Sequence, residues 1–294
     1  MKTIVITGAS SGIGLDAARL LIAQGWTVFG SVRNETDGQK NVEKFGNNFI
    51  PLIFDVSDGA AIAKAAQQVK NWLRQNNLSK LDALINNAGI AVNGPLQHLP
   101  IDELAQQFDI NVVGVMRVTQ AFLPLLGAKK VPNQTPHATI INISSVSAFV
   151  TQPFLGPYSA SKAALEKLSD ALRRELRVVG VKVVLVEPGP IRTDIWTKAR
   201  DNANPYAGTD YEPYMRQVAQ IVDATEASAL PVADVSTLIS KILNTQNPRA
   251  RYMIAPKKWI IKLLTWLPDS WVDGVFKKQF AKLEKGETSS MRGI

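Results

Sequence analysis

The sequence predicts an α/β fold built on a doubly wound parallel sheet, and three observations support that prediction. Short apolar runs alternate along the chain with longer segments whose apolar residues recur at helical spacing. The short runs are apolar at nearly every position, as parallel strands covered by helices on both faces must be. The length of 294 residues, with 46% hydrophobic and 20% charged residues, is typical of a folded globular protein with a large core.

The order of these runs gives the predicted elements. Strands are predicted at 3–7, 27–32, 49–55, 81–86, 138–144, 181–188 and 251–255, and helices at 12–24, 58–76, 101–126, 157–178 and 231–244. Residues 196–214 are polar and rich in turn formers, which predicts a mobile excursion beside a site. We therefore expect one domain over residues 1–256, with a substrate-loop region at 190–225 and a basic extension over 257–294.

Composition excludes several kinds of chemistry. The chain has no cysteine, which rules out disulfides, thiol nucleophiles and cysteine-based zinc sites. Its two histidines, His98 and His137, do not stand at metal-ligand spacing, so no metal site is expected. No apolar stretch suits a signal peptide or a membrane span, and we expect a cytoplasmic protein.

The net charge of +8 is concentrated near the end of the chain. Ten Lys/Arg and four Asp/Glu lie from Arg249 onward, so the main body is nearly neutral. This distribution argues against a nucleic-acid-binding face on the body.

A glycine-rich turn, TGASSGIG (7–14), directly follows the first predicted strand and opens the first helix. We expect Gly8 to make the tight turn, Gly12 to let the backbone approach a pyrophosphate, and Gly14 to let the helix pack against the strand. The phosphates would then lie at the positive N-terminus of the helix. Its position between strand and helix makes this turn a prediction of dinucleotide binding.

The end of the second strand indicates which dinucleotide is bound. Folds specific for NAD place a carboxylate there, whereas a basic residue accommodates the 2′-phosphate of NADP. Arg33 occupies this place in SVRNE, and Ser10 offers an additional hydroxyl donor, so NADP(H) is favoured. Glu35 is the rival signal and leaves NAD(H) open.

Two further turns follow predicted strands. Asp55, in FDVSD, is placed to accept a hydrogen bond from the adenine amino group; the alternative is that it caps the next helix, a role that Ser57 or Asp58 suits better. The small residues of NNAG (86–89) would let the chain pass close under a ligand, although this motif alone could be a plain turn.

The segment YSASK opens the helix after the fifth strand and places Tyr158 and Lys162 on one face. Ser145 lies at the carboxyl end of that strand, where open α/β sheets bind ligands, and its neighbour Ser144 competes for the same role. A free phenol has a pKa of about 10, which a nearby ammonium lowers. The alternative is a tyrosine that only buries its ring.

The motifs TGASSGIG, NNAG, FDINVVG, YSASK and EPGPIRT, together with Ser145, resemble the classical short-chain dehydrogenase/reductase family. The match extends from residue 3 to about 195, and a looser one continues to about 255. LGPYSASKAALEKLSDALRREL and EPGPIRTDIW look like the branch of steroid, retinol and 3-hydroxybutyrate dehydrogenases. The resemblance implies a Rossmann-type sheet in the strand order 3-2-1-4-5-6-7, with helices on both faces and a helical C-terminal extension.

The resemblance also implies a catalytic tetrad of Asn111, Ser145, Tyr158 and Lys162. Tyr158 would exchange a proton with the substrate oxygen, which Ser145 would also bind. In the family, Lys162 also holds the nicotinamide ribose, and Asn111 supports a water chain from Lys162 to solvent. Thr193 resembles the residue that binds the nicotinamide carboxamide. The expected cofactor-binding residues are Gly8, Ser10, Ser11, Gly12, Ile13, Gly14, Arg33, Asp55, Val56, Asn87, Ala88, Gly89, Tyr158, Lys162, Pro188, Gly189, Ile191 and Thr193.

Apolar residues around the catalytic segment predict a hydrophobic substrate. A steroid, a retinoid or a long-chain 3-hydroxy/3-keto compound would suit them; the alternative is that they form core or subunit interface. The residues are Val146, Phe149, Phe154, Leu155 and Trp196.

The extension is amphipathic and carries three tryptophans between basic flanks in KKWIIKLLTWLPDSWVDGVFKKQF. This pattern suits a helix on an anionic membrane surface, and also a lid over the cleft or a subunit contact. The family resemblance implies a homodimer or homotetramer formed through the helices around 101–126 and 157–178.

Taken together, the motifs predict an NADP(H)-dependent oxidoreductase that acts on a hydrophobic secondary alcohol or ketone. The alternatives are a non-catalytic NADP(H)-binding sensor and a membrane-surface-associated member of the same family.

Overall fold

The computed structural model describes residues 1–128, 138–193, 205–215, 229–256 and 258–284. Its centre is a seven-stranded sheet in the order β3-β2-β1-β4-β5-β6-β7, which confirms the predicted strand order. All the strand pairs are parallel. The strands are β1 Lys2–Ile6, β2 Trp26–Val32, β3 Phe49–Ile53, β4 Ala83–Asn86, β5 Ala138–Ile143, β6 Val181–Pro188 and β7 Arg251–Ile254.

Helices cover both faces of this sheet. The α-helices are α1 Gly12–Ala23, α2 Glu35–Phe45, α3 Gly59–Gln75, α4 Ile101–Phe108, α5 Gly114–Phe122, α6 Gly156–Glu175, α7 Val232–Leu243, α8 Lys258–Leu264 and α9 Asp269–Glu284. A π-helical segment, Asp109–Val113, joins α4 to α5, and short 3-10 helices lie at Gly46–Asn48, Leu123–Leu126, Val146–Ala148 and Leu176–Val179. Among the helices described, none is long and apolar enough to span a bilayer.

Strand β1 shows how the two cores form. Val5 packs into a cluster with Phe29 and Phe122, whereas its neighbours Ile4 and Ile6 pack into the cluster on the opposite face. This division follows from the alternation of side chains along a strand. All five of these side chains are fully buried, as the apolar runs of the sequence predict.

The order in which strands are added to the sheet reverses at β1, which pairs with β2 on one side and with β4 on the other. The chain passes from β1 through α1 to β2, and it later passes from β3 through α3 to β4 on the other side of β1. The carboxyl ends of β1 and β4 therefore border a crevice. Ligands bind at this switch point in open α/β sheets.

Several predicted boundaries were wrong. Helix α2 was not predicted, because its sequence ETDGQKNVEKF has few apolar residues; Asn34 begins it by accepting a hydrogen bond from the backbone N–H of Asp37 at 2.9 Å. The predicted helix 101–126 is interrupted by the π-helical segment. Strand β3 ends at Ile53, so Asp55 lies in the following loop.

The C-terminal extension is helical, as predicted, and forms two helices; Pro268, which has no N–H to donate, lies just before α9. Part of the expected mobile excursion, residues 205–214, lies within the described structure. Tyr206 there is buried against the loop that contains Gly94, where any side chain would collide with the tyrosine hydroxyl, and the mobility of the excursion stays a prediction. Trp196 and most of the 190–225 region lie outside the described residues.

Candidate active site

The glycine-rich turn has the positive φ values that its glycines allow. Gly8 and Gly12 adopt φ values of 66° and 54°, which residues with side chains rarely adopt. A Cβ added at Gly14 would collide with the carbonyl oxygen of Gly8 and lie 2.6 Å from the side-chain nitrogen of Asn87. The turn therefore brings α1 directly against the end of β1, and the backbone forms a cradle with no room for side chains.

The N-terminus of α1 is available to an anion. Ser11 occupies the N-cap position, but its side chain makes no capping hydrogen bond within the described structure. The N–H groups of the first turn, which no carbonyl of the helix can satisfy, are therefore left for a ligand. Thr193 closes the opposite side, because its methyl group lies 3.4 Å from where a Cβ of Gly12 would be. These features fit the pyrophosphate of a dinucleotide.

Thr7 fastens the glycine-rich turn to NNAG. Its hydroxyl oxygen accepts hydrogen bonds from the backbone N–H groups of Asn87 at 2.9 Å and Ala88 at 3.0 Å. The side-chain amide of Asn87 donates in return to the carbonyls of Thr7 at 2.9 Å and Gly8 at 3.1 Å. The structure thus brings the two predicted cofactor segments together at the carboxyl ends of β1 and β4.

The far end of the predicted nucleotide site is polar and charged. Arg33 is exposed just after β2 and acts electrostatically on Asp55. Burial acts to raise the pKa of Asp55, but hydrogen bonds from Ser57 and the charge of Arg33 outweigh it, so the pKa lies below its usual value. Asp58 caps α3, because its carboxylate accepts hydrogen bonds from the backbone N–H groups of Ala60 and Ala61. This is the capping role to which Ser57 or Asp58 was expected to be better suited than Asp55. Glu35 borders a shallow depression between α2 and β3.

Asn111 lies in the π-helical segment, and such segments occur frequently at functional sites. Its amide accepts from the N–H of Ile90 and donates to the carbonyl of the same residue, both at 2.9 Å. It also donates to the hydroxyl of Ser161 at 3.1 Å. Gly89 passes between Asn111 and Lys162: its Cβ position would be 3.1 Å from the amide oxygen and 3.8 Å from the amine.

The catalytic candidates converge where β5 ends and α6 begins. A hydrogen bond joins the hydroxyls of Tyr158 and Ser145. The amine of Lys162 lies 5.7 Å from the centre of the Tyr158 ring and donates to the carbonyl of Ile143 at 2.8 Å. Ser145 also supports the next loop, because its oxygen accepts from the N–H of Ser147 at 3.1 Å.

Ser145 and Ser144 are now distinguished by their contacts. The hydroxyl of Ser144 is buried and has no hydrogen-bond partner in the part of the chain that the structure describes. Ser145 is also buried, but its hydroxyl faces Tyr158. The serine beside the phenol is therefore Ser145.

Burial, rather than a neighbouring charge, controls the two titratable groups. It raises the pKa of Tyr158, and the hydrogen bond with Ser145 opposes that change only in part. It also lowers the pKa of Lys162 to about 8, against the charge of Glu166. The expected lowering of the tyrosine pKa is therefore wrong for the chain by itself, because both groups are displaced toward their uncharged forms.

The remaining predicted cofactor residues follow β6. The N–H of Gly189 donates to the carbonyl of Ile254 at 2.8 Å, and its Cβ position would be 2.6 Å from Ala255, so only glycine fits. The carbonyl of Pro188 accepts from Ser145 at 3.5 Å. Ile191 is buried and bridges to Leu230, which fixes the chain just before Thr193.

The expected substrate residues divide between the surface and an aromatic cluster. Phe149 is exposed in the loop after β5, near Val146 and Leu155 in sequence. Phe154 has a φ of 68°, which is unusual for a bulky residue and marks a strained backbone position.

The ring of Phe154 makes edge-to-face contacts with Tyr211 at 6.1 Å and with Phe280 of α9 at 6.0 Å. Tyr214 also contacts Phe280, at 5.1 Å. The segment before the catalytic helix, part of the predicted substrate-loop region and the C-terminal extension therefore meet at one place.

Several supporting residues were missed by the sequence analysis. Buried Gln107 donates to the carbonyl of Ile90 at 2.9 Å and accepts from the N–H of Val92, so it holds the loop after NNAG together with Asn111. Ser161 donates to the carbonyl of Tyr158 at 2.7 Å. A buried polar residue at a position where helical spacing predicts an apolar one is the signal that could have identified Gln107.

The comparisons with known proteins agree with this architecture. Residues 2–204 match the family model described as short chain dehydrogenase. A protein from Ornithobacterium rhinotracheale named NADPH-dependent 3-dehydrocapnine reductase is 44% identical over 284 residues, covering 96% of this chain and 99% of the relative. A Bacteroides thetaiotaomicron protein named 3-ketodihydrosphingosine reductase is 30% identical over 271 residues, covering 92% and 94%.

Among solved structures, a short-chain dehydrogenase from Streptomyces avermitilis superposes with a TM-score of 0.71 at 26% identity and covers 98% of both chains. The family match spans more than half of the chain, including the glycine-rich turn and the Tyr158 helix. The resemblance predicted from the motifs is therefore confirmed: this protein belongs to the short-chain dehydrogenase family and is an oxidoreductase.

Proposed function

We propose that this protein is an NADPH-dependent reductase that converts a hydrophobic ketone into a secondary alcohol. The observation that carries the proposal is the hydrogen-bonded pair of Tyr158 and Ser145 with the Lys162 amine beside the tyrosine ring. A non-catalytic dinucleotide sensor would not need this pair of hydroxyls and an amine at the end of the cofactor cradle. The roles of the individual residues are part of the proposal.

The chain's own residues would bind the dinucleotide as follows. The glycine-rich turn and the first turn of α1 hold the pyrophosphate, Asp55 accepts from the adenine amino group, and Thr193 binds the carboxamide. When bound, the nicotinamide supplies the hydride that is added to the carbonyl carbon of the substrate. The cradle fits this cofactor because no side chain can occupy it at Gly8 or Gly14.

The cofactor is NADP(H). Arg33 is exposed at the end of β2, where a 2′-phosphate would lie and where folds specific for NAD place a carboxylate. The name of the Ornithobacterium rhinotracheale relative also describes an NADPH-dependent enzyme. Glu35, the residue that would instead indicate NAD(H), is the first residue of α2 and borders the shallow depression between α2 and β3.

Tyr158 would donate its proton to the carbonyl oxygen as the hydride reaches the carbonyl carbon. Ser145 donates a hydrogen bond to the same oxygen and so fixes its position. The phenolate that remains is stabilised by the ammonium of Lys162 and regains a proton from solvent through the polar groups around Asn111. General acid catalysis of this kind contributes about 10²–10⁴-fold to the rate.

The proposed substrate class follows from the aromatic side chains near the segment between Ser145 and Tyr158. Phe154 and Phe149 lie on the segment between Ser145 and Tyr158, and Phe280 adds an apolar ring from the extension. The names of two relatives describe reductases of a 3-dehydro and a 3-keto compound. We therefore favour a long-chain 3-keto compound over a steroid or a retinoid.

Two further features complete the proposal. The chain forms a homodimer or homotetramer through the helices that include α4–α5 and α6, where Ile101 and Val113 are exposed apolar residues. The extension makes a peripheral contact with a membrane. Light scattering coupled to size-exclusion chromatography measures the first property: a monomer at micromolar concentration would contradict it.

The reductase activity is tested by following NADPH oxidation with ketones graded in chain length, including 3-ketodihydrosphingosine. We expect turnover to rise with chain length and to exceed the rate with NADH. Tyr158→Phe should lower turnover by about 10²–10⁴-fold while NADPH still quenches protein fluorescence. Tyr252→Phe, in β7, is the matched control and should retain activity. Full activity of Tyr158→Phe would contradict the proposed acid, and NADPH binding without turnover of any ketone would favour the sensor.

A further inference from the structure

The outer side of the C-terminal extension exposes large apolar side chains. Trp259, Trp266 and Trp271 are 65%, 86% and 67% exposed, whereas Trp26 in the body is 4% exposed. Leu263 is also more than half exposed. Soluble surfaces rarely carry apolar side chains in such a group, and an exposed group of this kind marks an interaction site.

Helical spacing collects these side chains into stripes. In α8, Trp259 and Leu263 lie four residues apart, and in α9 Trp271 and Val275 do the same. Trp266 lies in the short connection between the two helices. We call this set, with the lysines described next, the outer face of the extension.

Exposed lysines flank the apolar stripes. Lys258 and Lys262 lie one residue before Trp259 and Leu263 in α8, and Lys277 and Lys278 are exposed in α9. The exposed acidic residues in the described part of the extension are Asp269, in the first turn of α9 where the helix dipole favours a negative charge, and Asp273. The four exposed lysines outnumber these two carboxylates, so the outer face is basic as well as apolar.

The opposite side of α9 is already occupied. Phe280 contacts Phe154 and Tyr214, so this side packs against the body near the substrate segment. A lid uses only that inner side and leaves the tryptophans unexplained. Self-association through a two-fold axis would bring together two copies of the same positively charged face, which electrostatic repulsion disfavours.

We propose that the outer face of the extension docks on an anionic lipid bilayer. Tryptophan rings prefer the level of the lipid headgroups, and lysines are attracted to anionic headgroups, so a helix pair that combines them lies in the interface. Lysines near such a surface strengthen binding, and screening by salt reduces their contribution. One consequence rests on the proposed function: docking holds the substrate side of the cleft at the lipid surface, from which a hydrophobic ketone enters.

The test measures binding without turnover. The full chain is mixed with vesicles of phosphatidylcholine alone or with phosphatidylserine added, and flotation and tryptophan emission are recorded. We expect flotation and a blue shift with the anionic vesicles, loss of both in high salt, and weak binding to phosphatidylcholine alone. The triple variant Trp259→Ser/Trp266→Ser/Trp271→Ser should bind at least about tenfold more weakly. The control Val178→Ser removes an equally exposed apolar residue of the body and should bind as the parent does.

Three outcomes would overturn the proposal: no flotation of the parent chain, equal flotation of the triple variant, or equal binding to both vesicle types. Loss of self-association in the triple variant, without vesicle binding by the parent, would assign the face to a subunit contact and also overturn it. Reduction of a short water-soluble ketone should be unchanged in the triple variant. Failure of the reductase proposal therefore leaves the flotation result interpretable, and the reverse also holds.

Discussion

Replacing Glu187 with glutamine is expected to change how the stability of this protein depends on pH. Glu187 lies near the end of β6, is 3% exposed, and approaches Arg251 at 3.4 Å. Arg251 also pairs with Glu166 at 3.0 Å and Asp170 at 2.9 Å, so one guanidinium serves three carboxylates. Burial first, and then the charge of Glu166, raise the pKa of Glu187 to about 7, against the charges of Arg251 and Lys262.

The direction of the effect follows from proton linkage. The pKa of Glu187 in the folded chain lies above its ordinary value of 4.5, so the folded protein holds this proton more tightly than the unfolded chain does. The stability that comes from the proton is fully present below pH 4.5 and is lost as the pH rises through about 7. At ~1.4 kcal/mol for each pH unit, the loss between pH 5 and pH 8 amounts to about 2.5 kcal/mol.

Glutamine keeps the shape of the side chain but does not titrate. The free energy of unfolding of Glu187→Gln, relative to that of the parent, should therefore increase by about 2.5 kcal/mol from pH 5 to pH 8, because the parent loses this stability and the variant does not. Urea unfolding followed by tryptophan fluorescence at several pH values measures this difference. Glu175→Gln, at the exposed end of α6, serves as control and should give curves parallel to those of the parent. Parallel curves for Glu187→Gln itself would refute the reasoning.

Three further predictions concern the candidate site. Because burial lowers the pKa of Lys162 to about 8, kcat/KM for ketone reduction should fall as the pH rises through that value and the ammonium is lost; a flat profile from pH 6 to 10 would contradict this. Arg33→Ala should raise KM for NADPH by at least about tenfold and leave KM for NADH unchanged, because one charged hydrogen bond to the 2′-phosphate is removed; equal changes for both cofactors would assign Arg33 to the solvated surface. Gly14→Ala should abolish NADPH binding, measured by fluorescence quenching, and lower the melting temperature, because its methyl group would collide with the carbonyl of Gly8; a variant that binds NADPH normally would show that α1 can move away from β1 at no cost.

The sequence predicted those parts of the fold that depend on local constraints. The turn at Gly8 and Gly14 was predictable because a glycine in the sequence directly indicates a position where a side chain would not fit. Helix α2 was not, since its stability comes from the Asn34 cap and from packing against β3 rather than from an apolar stripe. The π-helical segment at Asp109–Val113 has no pattern in the sequence, because it depends on the contacts of Asn111 with a distant loop.

The candidate site divides in the same way. Tyr158, Ser145 and Lys162 were expected to meet because their motifs resemble those of a family with this tetrad, and Ser145 lies at the carboxyl end of β5, where such sheets bind ligands. Thr7 and Gln107 were missed because each is a single polar residue whose importance lies in two or three hydrogen bonds to backbone distant in sequence. The spacing of residues in a sequence indicates helix faces, strand faces and turns. It does not indicate hydrogen bonds between one side chain and backbone that is distant in sequence.

The directions of the pKa shifts of Tyr158 and Lys162 are consistent with the proposed reduction. Lys162 was expected to be a fixed cation that keeps the phenol acidic, but burial raises the pKa of Tyr158 and lowers that of Lys162 to about 8. A protonated phenol is the form that donates to a ketone, whereas alcohol oxidation requires the phenolate at the outset. In the proposed reduction, the phenol that the chain alone keeps protonated at neutral pH would be the acid in the ground state. The phenolate would form only as the proton leaves, when the ammonium of Lys162 would stabilise it most, and such preferential stabilisation of the transition state accelerates a reaction.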